Sequence, residues 1–257
     1  MKIEKREMGF FVDDVLKFYE NYDEDGRLVT KYGLVEFLTT MRFIEKYLRP
    51  GHCVLDIGAG TGRYSHALAQ MCHAVDAVEL VPHNIEIFKK NMRNDNVAVR
   101  QGDARDLSAF ADNSYDITLL FGPMYHLFEV EDKLAAISEA IRVTKPGGMV
   151  FAAYVTSDAV MLAEGFVRGR LCDISLKRAY DFALHRKEDI DALMANFKTT
   201  RLHYVATDGF TNHMRPTMNE MGDATFDAYL KYHFEVCERA DMAGISHHVL
   251  DIFRKEE

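Results

Sequence analysis

VLDIGAGTGRYS, residues Val54 to Ser65, sets a short apolar run against three glycines at alternate positions, with an aspartate at the junction. The run has the length of a strand. Arg63 to Gln70 follows it, with Tyr64, Ala67, Leu68 and Met71 on one helical face. Gly58, Gly60 and Gly62 let the chain turn sharply and let a ligand come close, because no Cβ stands in the way. The spacing is D-x-G-x-G-x-G, not G-x-G-x-x-G, and the lysine of a P-loop is missing. Asp56 would repel a pyrophosphate in this turn. It suits a ligand that carries a positive amino acid head.

Outward from this unit, strand and helix alternate. HAVDAVEL (73–80) reads as a second strand, and residues 82–94 as a helix with Ile85, Phe88 and Met92 inward. VAVRQGD (97–103) is a third strand. YDITLLF (115–121), nearly all apolar, is a fourth, as a strand covered on both faces should be. Glu131 to Val143 is a helix with Leu134, Ile137 and Ile141 inward. Lys145-Pro146-Gly147-Gly148 makes a turn, and MVFAAYV (149–155) a fifth strand. This pitch predicts right-handed βαβ units and a parallel sheet. Upstream, residues 10–20 and 29–48 have helical spacing, separated by a polar turn around Gly26 and closed by Pro50-Gly51.

After Val155 the rhythm breaks. Residues 157–196 read as helical, TTRLHYVAT (199–207) as a strand, 223–242 as helical, and HVLDIFR (248–254) as a last strand. The roughly 40 residues between those two strands are too many for a hairpin and predict a helical cap. The expected organisation is an N-terminal helical segment, 1–49, closing over a ligand. A domain over 50–257 follows, with cap insertions at about 157–196 and 209–247.

In an open parallel sheet, ligands bind at the carboxyl ends of the strands. Those ends read Asp56 to Gly62, Glu79-Leu80, Gly102-Asp103-Ala104, Phe121-Gly122-Pro123 and Tyr154 to Ser157. Glu79, about twenty residues past the glycine turn, stands where an acid commonly takes two ribose hydroxyls. Asp103 can accept from an adenine amino group. A solvated strand-end charge is the plain alternative for each acid alone. The glycine turn together with both acids favours a nucleoside site.

VLDIGAGTG, AVEL, GDARDL, YDITLLFGPMYHL and ISEAIRVTKPGGMVFAAY resemble, in order and spacing, the successive motifs of class I S-adenosylmethionine-dependent methyltransferases, over about residues 50–156. The resemblance implies a Rossmann-like, mostly parallel seven-stranded α/β sheet with helices on both faces and an antiparallel last strand, which HVLDIFR fits. It implies that Asp56, Gly58, Ala59 and Gly60 line the methionine part of S-adenosyl-L-methionine and that Glu79 binds its ribose. Leu80 would pack on the adenine, with Gly102, Asp103 and Ala104 at its amino edge, and Phe121 and Gly122 would lie beneath the methionine. From the N-terminal helices, Tyr19 or Tyr22 would face the sulfonium or the carboxylate.

Methyl transfer from a sulfonium is a direct displacement that depends on alignment in a dry pocket. Aromatic faces can contact the cation without competing as nucleophiles, and Phe121 and Tyr125 are placed for that. A base is needed only where the nucleophile must lose a proton. FGPMYHL, after the fourth strand, offers His126 and Tyr125 for that role, although a histidine at a helix start more often serves packing. DGFTNHM (208–214) adds Asn212 and His213 as substrate-pocket candidates.

The composition limits the alternatives. The 257 residues are 48% hydrophobic and 28% charged, enough for a core and too ordered in composition for a disordered chain. A net charge of −9 disfavours a nucleic-acid partner. No apolar run is long enough to span a membrane, and MKIEKREMGFFVDD lacks the features of a signal peptide. A cytoplasmic enzyme acting on a small molecule is therefore expected. Cys53, Cys72, Cys172 and Cys237 form no C-x-x-C pair, so no thiol metal site is expected. His247-His248 makes a poor metal pair if both lie on a strand, where neighbours face opposite ways. A nicotinamide-dependent oxidoreductase and a non-catalytic S-adenosylmethionine-binding protein are the competing readings. The acceptor and the oligomeric state are not legible.

Overall fold

The computed structural model describes residues 30–175, 177–179 and 182–257. Tyr19 and Tyr22, the candidates in the N-terminal segment, lie outside these residues.

The first described helix, α1, spans Lys31–Tyr47. Thr30 caps it by accepting a hydrogen bond from the Gly33 N–H at 3.3 Å. It buries Val35, Met41, Phe43 and Ile44 and ends just before Arg49-Pro50, where the residue preceding proline resists the helical region. Then come β1 (Cys53–Ile57), α2 (Arg63–Leu68), β2 (Ala74–Glu79), α3 (Pro82–Asn91), β3 (Val97–Gln101) and β4 (Tyr115–Leu120). They are followed by α4 (Pro123–His126), α5 (Val130–Val143) and β5 (Thr144–Thr156). The expected alternation is therefore present.

β1 lies between β2 and β4, parallel to both, with Val54 opposite Val75 and Ile117. β3 adds to β2, and β5 to β4. The central strands are mostly apolar because alternate residues enter different cores. Leu55, Ile57, Val150 and Ala152 pack on one face with Ala136, Ile137 and Ala140 of α5. Val54, Ile117, Leu119 and Phe151 pack on the other with Phe43 and Ile44 of α1 and Phe88 of α3. The turn expected at Lys145–Gly148 persists as an irregularity inside β5. Gly147 adopts a φ of 76°, and the partners of Tyr115 and Ile117 jump from Thr144 to Met149.

The segment 157–196 departs from its helical expectation. A short α6 (Ser157–Val160) runs into a π-helical turn, Met161–Val167, then a 3-10 turn at Leu171–Asp173. Next come two small strands, β6 (Arg178–Ala179) and β7 (Phe182–His185), and a true helix, α7 (Lys187–Met194). β6 and β7 are antiparallel, and β7 extends the sheet by pairing parallel with Val155 and Thr156. Gly165 and Gly169 weaken a long helix here, and Gly169 ends the turn at a φ of 70°.

The far edge is antiparallel. β8 (Thr199–Ala206) pairs with β9 (His248–Lys255), and β9 pairs with β5. Between them lie a 3-10 turn (Thr211–Met214), α8 (Arg215–Glu220), α9 (Asp223–Val236) and α10 (Ala240–Ala243). The seven principal strands thus run β3-β2-β1-β4-β5-β9-β8, with the β6–β7 hairpin added at the end of β5. No helix among the described residues is long and apolar enough to cross a membrane.

Candidate functional site

β1 has β2 on one side and β4 on the other, so the crossovers leave a crevice at their carboxyl ends. A cleft opens there, with about 1550 Å³ of empty space when its open mouth is included. That is ample for a nucleoside-sized ligand together with a second molecule. Gly58, Ala59, Gly60, Glu79, Leu80, Gly102, Asp103, Ala104, Phe121, Gly122, Tyr125 and His126 all line it. The described residues that the resemblance assigned to the cofactor are therefore neighbours in one cleft, with a single exception; Tyr154 to Ser157, at the end of the fifth strand, do not line it.

The exception is Asp56. It is 1% exposed and lies beneath the glycine turn instead of on the cleft wall. Its Oδ2 accepts from the Ser65 hydroxyl at 2.6 Å, at the start of α2. The Ser65 backbone also favours the charged form, while burial, and then the nearby Glu79, oppose it. Burial wins, and the Asp56 carboxyl is pushed up to about 6. Asp56 Oδ2 thus tethers the first turn of α2, while Oδ1 is buried without a hydrogen-bond partner among the described residues. An anion favoured by the N–H groups of a helix start is thus already supplied by the chain.

The glycine turn uses its own donors as well. The N–H groups of Gly58 and Ala59 reach Val78 O, and that of Gly62 reaches Ala59 O. The Gly60 N–H donates to Glu79 Oε2 at 2.7 Å. Gly58, Gly60 and Gly62 all have positive φ, at 78°, 55° and 93°. A Cβ on Gly58 would meet Phe121 O at 2.3 Å, so this residue seats the turn of β1 against the turn of β4.

Glu79 is 6% exposed. Its Oε1 accepts from the Val81 N–H at 2.8 Å and from Asn84 Nδ2 at 3.4 Å. Burial raises its carboxyl above the usual range, against the bonds from Val81, Gly60, Asn84 and Leu80. Glu79 lines the cleft, so its carboxylate can meet a ligand hydroxyl there. Asp103 is gripped by Arg105, whose Nη2 donates to Oδ2 at 2.6 Å and whose N–H donates to Oδ1 at 2.9 Å. Burial opposes the charge on Asp103, but the Arg105 bonds outweigh it and hold the carboxyl below its ordinary value.

Sequence reasoning missed several wall residues. Glu36 and Thr40 come from α1, Phe182 from β7, and Arg215 from α8. Arg63 stacks its guanidinium over the Phe37 ring at 4.4 Å, and its buried Nε has no hydrogen-bond partner among the described residues. Tyr64 meets Phe121 edge-on at 5.0 Å. His126 is buried against Phe182, with ring centroids 5.3 Å apart. Asn212 reaches the cleft, whereas His213 turns to Ile245 O at 2.8 Å and does not line it.

The expectation for the histidine pair is corrected. β9 begins at His248, so His247 lies before the strand and strand alternation does not separate the two. Both line the cleft, with ring centroids 4.7 Å apart. Ligand atoms of Asp208, His247 and His248 lie within 4.8 Å of one another. The signal was present in outline: DGF after one strand and SHH before its antiparallel neighbour must lie at the same sheet edge.

Residues 54–148 match the family described as a methyltransferase domain. Over 120 residues the chain is 32% identical to a cypemycin N-terminal methyltransferase of a Streptomyces species, covering 46% of each protein. Over 106 residues it is 40% identical to a demethylmenaquinone methyltransferase of Beutenbergia cavernae, covering 41% of each. The chain therefore spans less than half the length of these curated relatives. Among solved structures, the N-methyltransferase NodS of Bradyrhizobium japonicum with S-adenosyl-L-homocysteine superposes at a TM-score of 0.62. It is 14% identical, and the match covers 95% of this chain and 100% of that one. PH0226 of Pyrococcus horikoshii superposes at 0.61 with 17% identity, covering 93% and 99%. At such identities the likeness is one of fold.

Proposed function

We propose that the chain is a class I S-adenosylmethionine-dependent methyltransferase that transfers the methyl group to a small-molecule acceptor, a reading supported by the match of residues 54–148 to a methyltransferase domain. The observation that carries this reading is the state of the glycine turn. The N–H groups of Gly58, Ala59, Gly60 and Gly62 are bonded within the protein, and Asp56 holds the start of α2. A pyrophosphate would need such donors, so a nicotinamide dinucleotide finds little here to hold it. A nucleoside with an amino acid tail needs an acid for its ribose and a cation for its carboxylate, and Glu79 and Arg63 fit those needs.

Arg63 is the clearest test of fit. A buried guanidinium nitrogen with an unused hydrogen, on the wall beside the glycine turn, calls for an anionic partner. The methionine carboxylate is such a group. Glu79 takes the ribose, Leu80 and Ala104 pack on the adenine, and Asp103 faces its amino edge. Phe121, Tyr64 and Tyr125 present aromatic surface to the sulfonium region. When bound, the cofactor supplies a methyl group on a positively charged sulfur, already joined to a good leaving group. The chain contributes orientation and the exclusion of water, which suffice for much of the rate in a direct displacement.

We assign the N-terminal segment 1–49 to closing this site. Its described part, α1, supplies Glu36 and Thr40 to the wall. The insertions after β5 and β8 bound the acceptor side through Phe182, Asn212 and Arg215. Calorimetric titration with S-adenosylhomocysteine and with NAD tests the reading. Binding of the first and not the second is expected; the reverse would overturn it. Labelled S-adenosylmethionine with a metabolite extract then tests turnover, and tight binding without any labelled product would favour a non-catalytic role.

A further inference from the structure

The acceptor side of the cleft contains a carboxylate–imidazole pair that cofactor binding does not explain. Asp208, just past the end of β8, is 1% exposed. Its Oδ1 accepts from the Ser246 hydroxyl at 2.6 Å and from the His248 N–H at 3.1 Å. Its Oδ2 accepts from Asn212 Nδ2 at 2.6 Å and lies 2.9 Å from His248 Nδ1. A buried carboxylate is fixed here by bonds from three residues, with one ring nitrogen against it. Burial pushes the Asp208 carboxyl upward, but the bond from His248, the nearby charges of His248 and His247, and the Ser246 bond outweigh it, so the carboxyl is held well below its ordinary value.

His248 lines the cleft near Tyr125, with ring centroids 5.6 Å apart. Among the described residues the groups facing it are Asp208, His247, Tyr125 of α4, and Glu36 of α1, whose Oε2 is 3.4 Å from Nδ1. Two carboxylates thus stand on the Nδ1 side. They orient the ring and favour a positive charge on it. With Nδ1 committed to Asp208, proton exchange with an acceptor runs through Nε2. This is the arrangement of an imidazole base oriented by a buried carboxylate.

We propose that His248 is the general base of this site and Asp208 its positioning residue, and that the protein methylates acceptors whose nucleophilic atom carries a proton that must leave. A hydroxyl-bearing ring and a protonated amine are the chemical types that meet this requirement. The proposal rests on the methyltransferase reading of the cleft. In the reaction the acceptor's X–H bond breaks and its proton goes to Nε2. The electron pair left on X forms the bond to the methyl carbon. The pair of the sulfonium S–CH3 bond returns to sulfur, giving the neutral thioether. The resulting imidazolium is balanced by Asp208. A metal bound by Asp208, His247 and His248 is the weaker reading, because the four hydrogen bonds on Asp208 already fill its lone-pair positions.

The test compares wild type, His248→Gln and Asp208→Asn, each loaded with S-adenosylhomocysteine. Calorimetry of that ligand shows whether each variant is folded and whether the cofactor reading holds, independently of the base. Nitrogen-15 NMR of the ring-labelled protein then reads the His248 tautomer across pH. A neutral ring protonated at Nδ1 is expected, with that preference lost in Asp208→Asn. A ring protonated at Nε2, or one unchanged in Asp208→Asn, would overturn the proposal. Turnover is measured on 2-naphthol and on an alanine-initiated tripeptide as hydroxyl and amine probes. For whichever is methylated, His248→Gln should lower kcat by about 10²- to 10⁴-fold with KM little changed. Asp208→Asn should shift the pH profile. An undiminished kcat in His248→Gln also refutes the assignment. So does zinc binding by wild type that is lost in His248→Gln. If neither probe reacts, the tautomer decides.

Discussion

Replacing Glu79 separates a ligand-binding role from a purely structural one. The carboxylate accepts from the Gly60 N–H at 2.7 Å, from the Val81 N–H at 2.8 Å and from Asn84 at 3.4 Å. Glu79→Ala strands two buried backbone donors, each costing about 1–3 kcal/mol of fold stability. This loss falls on the free and bound protein alike and shows as a lower Tm. Removing ribose hydrogen bonds to a charged acceptor costs about 1.5–3 kcal/mol more, but only in the complex. At about 1.4 kcal/mol per decade, S-adenosylhomocysteine should bind about 10- to 150-fold more weakly. Glu79→Gln keeps an acceptor oxygen and loses the charge, so its affinity should fall between the two. It also guards against an alanine variant that fails to fold. The assay is calorimetric titration at fixed pH, with thermal unfolding of each free protein as the control. A folded Glu79→Ala protein that binds as tightly as wild type would show that Glu79 only braces the glycine turn.

Three further outcomes follow from the same geometry. Arg63→Met should weaken S-adenosylhomocysteine by about 1.5–3 kcal/mol while leaving adenosine affinity unchanged, as expected for a charged partner of the carboxylate; equal losses for both ligands, measured by calorimetry, would contradict the assignment. Asp56 has its carboxyl raised from 3.8 to about 6, so it favours the folded state most at low pH, and that contribution is lost as pH rises through this window. Asp56→Asn should therefore flatten the pH dependence of urea-unfolding free energy between about 4 and 6, by about 3 kcal/mol in total. Gly62→Ala should destabilise the fold more than Gly60→Ala, because a Cβ on Gly62 meets His66 and Phe88 at 2.6 Å whereas one on Gly60 meets nothing within 4 Å. The strain of a left-handed residue adds about 1–3 kcal/mol to each, and thermal unfolding of the two variants reads the difference.

The parallel half of the sheet was legible because its signals are local and repeated. Val54, Leu55 and Ile57 must all be apolar when β1 is covered on both faces, and the next strands obey the same condition. The segment after β5 was not legible for the opposite reason. RAYDFALH has the composition of a helix as much as of a hairpin, and what decides it is tertiary. Phe182–His185 finds the β4-side edge of β5 open at Val155 and Thr156, past the end of β4, and completes the ladder there. Propensity sums over a window cannot contain that information, because the partner strand lies outside the window.

The site divides along the same line. That Gly60, Glu79 and Asp103 share one cleft could be read from the chain because each ends or follows its own strand, and parallel strands put all such ends on one edge. Asp56 marks the limit of this logic: at a strand end the last inward-facing residue can lie under the turn as readily as above it, and Ser65 holds Asp56 Oδ2 there. Asp208 and His248 show the converse case. They are 40 residues apart, one after a strand and one at the start of the next, and neither stretch alone shows that the two side chains meet. Antiparallel pairing brings them together. Ala206 opposite Val249 fixes the register, and the Thr207 N–H on His248 O carries it one residue beyond the end of β8. Shifting β9 by a single residue would turn the His248 side chain to the other face of the sheet and leave Asp208 without its ring. The register of the last two strands therefore sets one wall of the cleft, as the glycine turn sets the other. A substitution that loosens β8–β9 pairing far from the cleft, such as Arg201→Ala, which removes the ion pair to the buried Asp251, should lower turnover of any acceptor before it affects S-adenosylhomocysteine affinity.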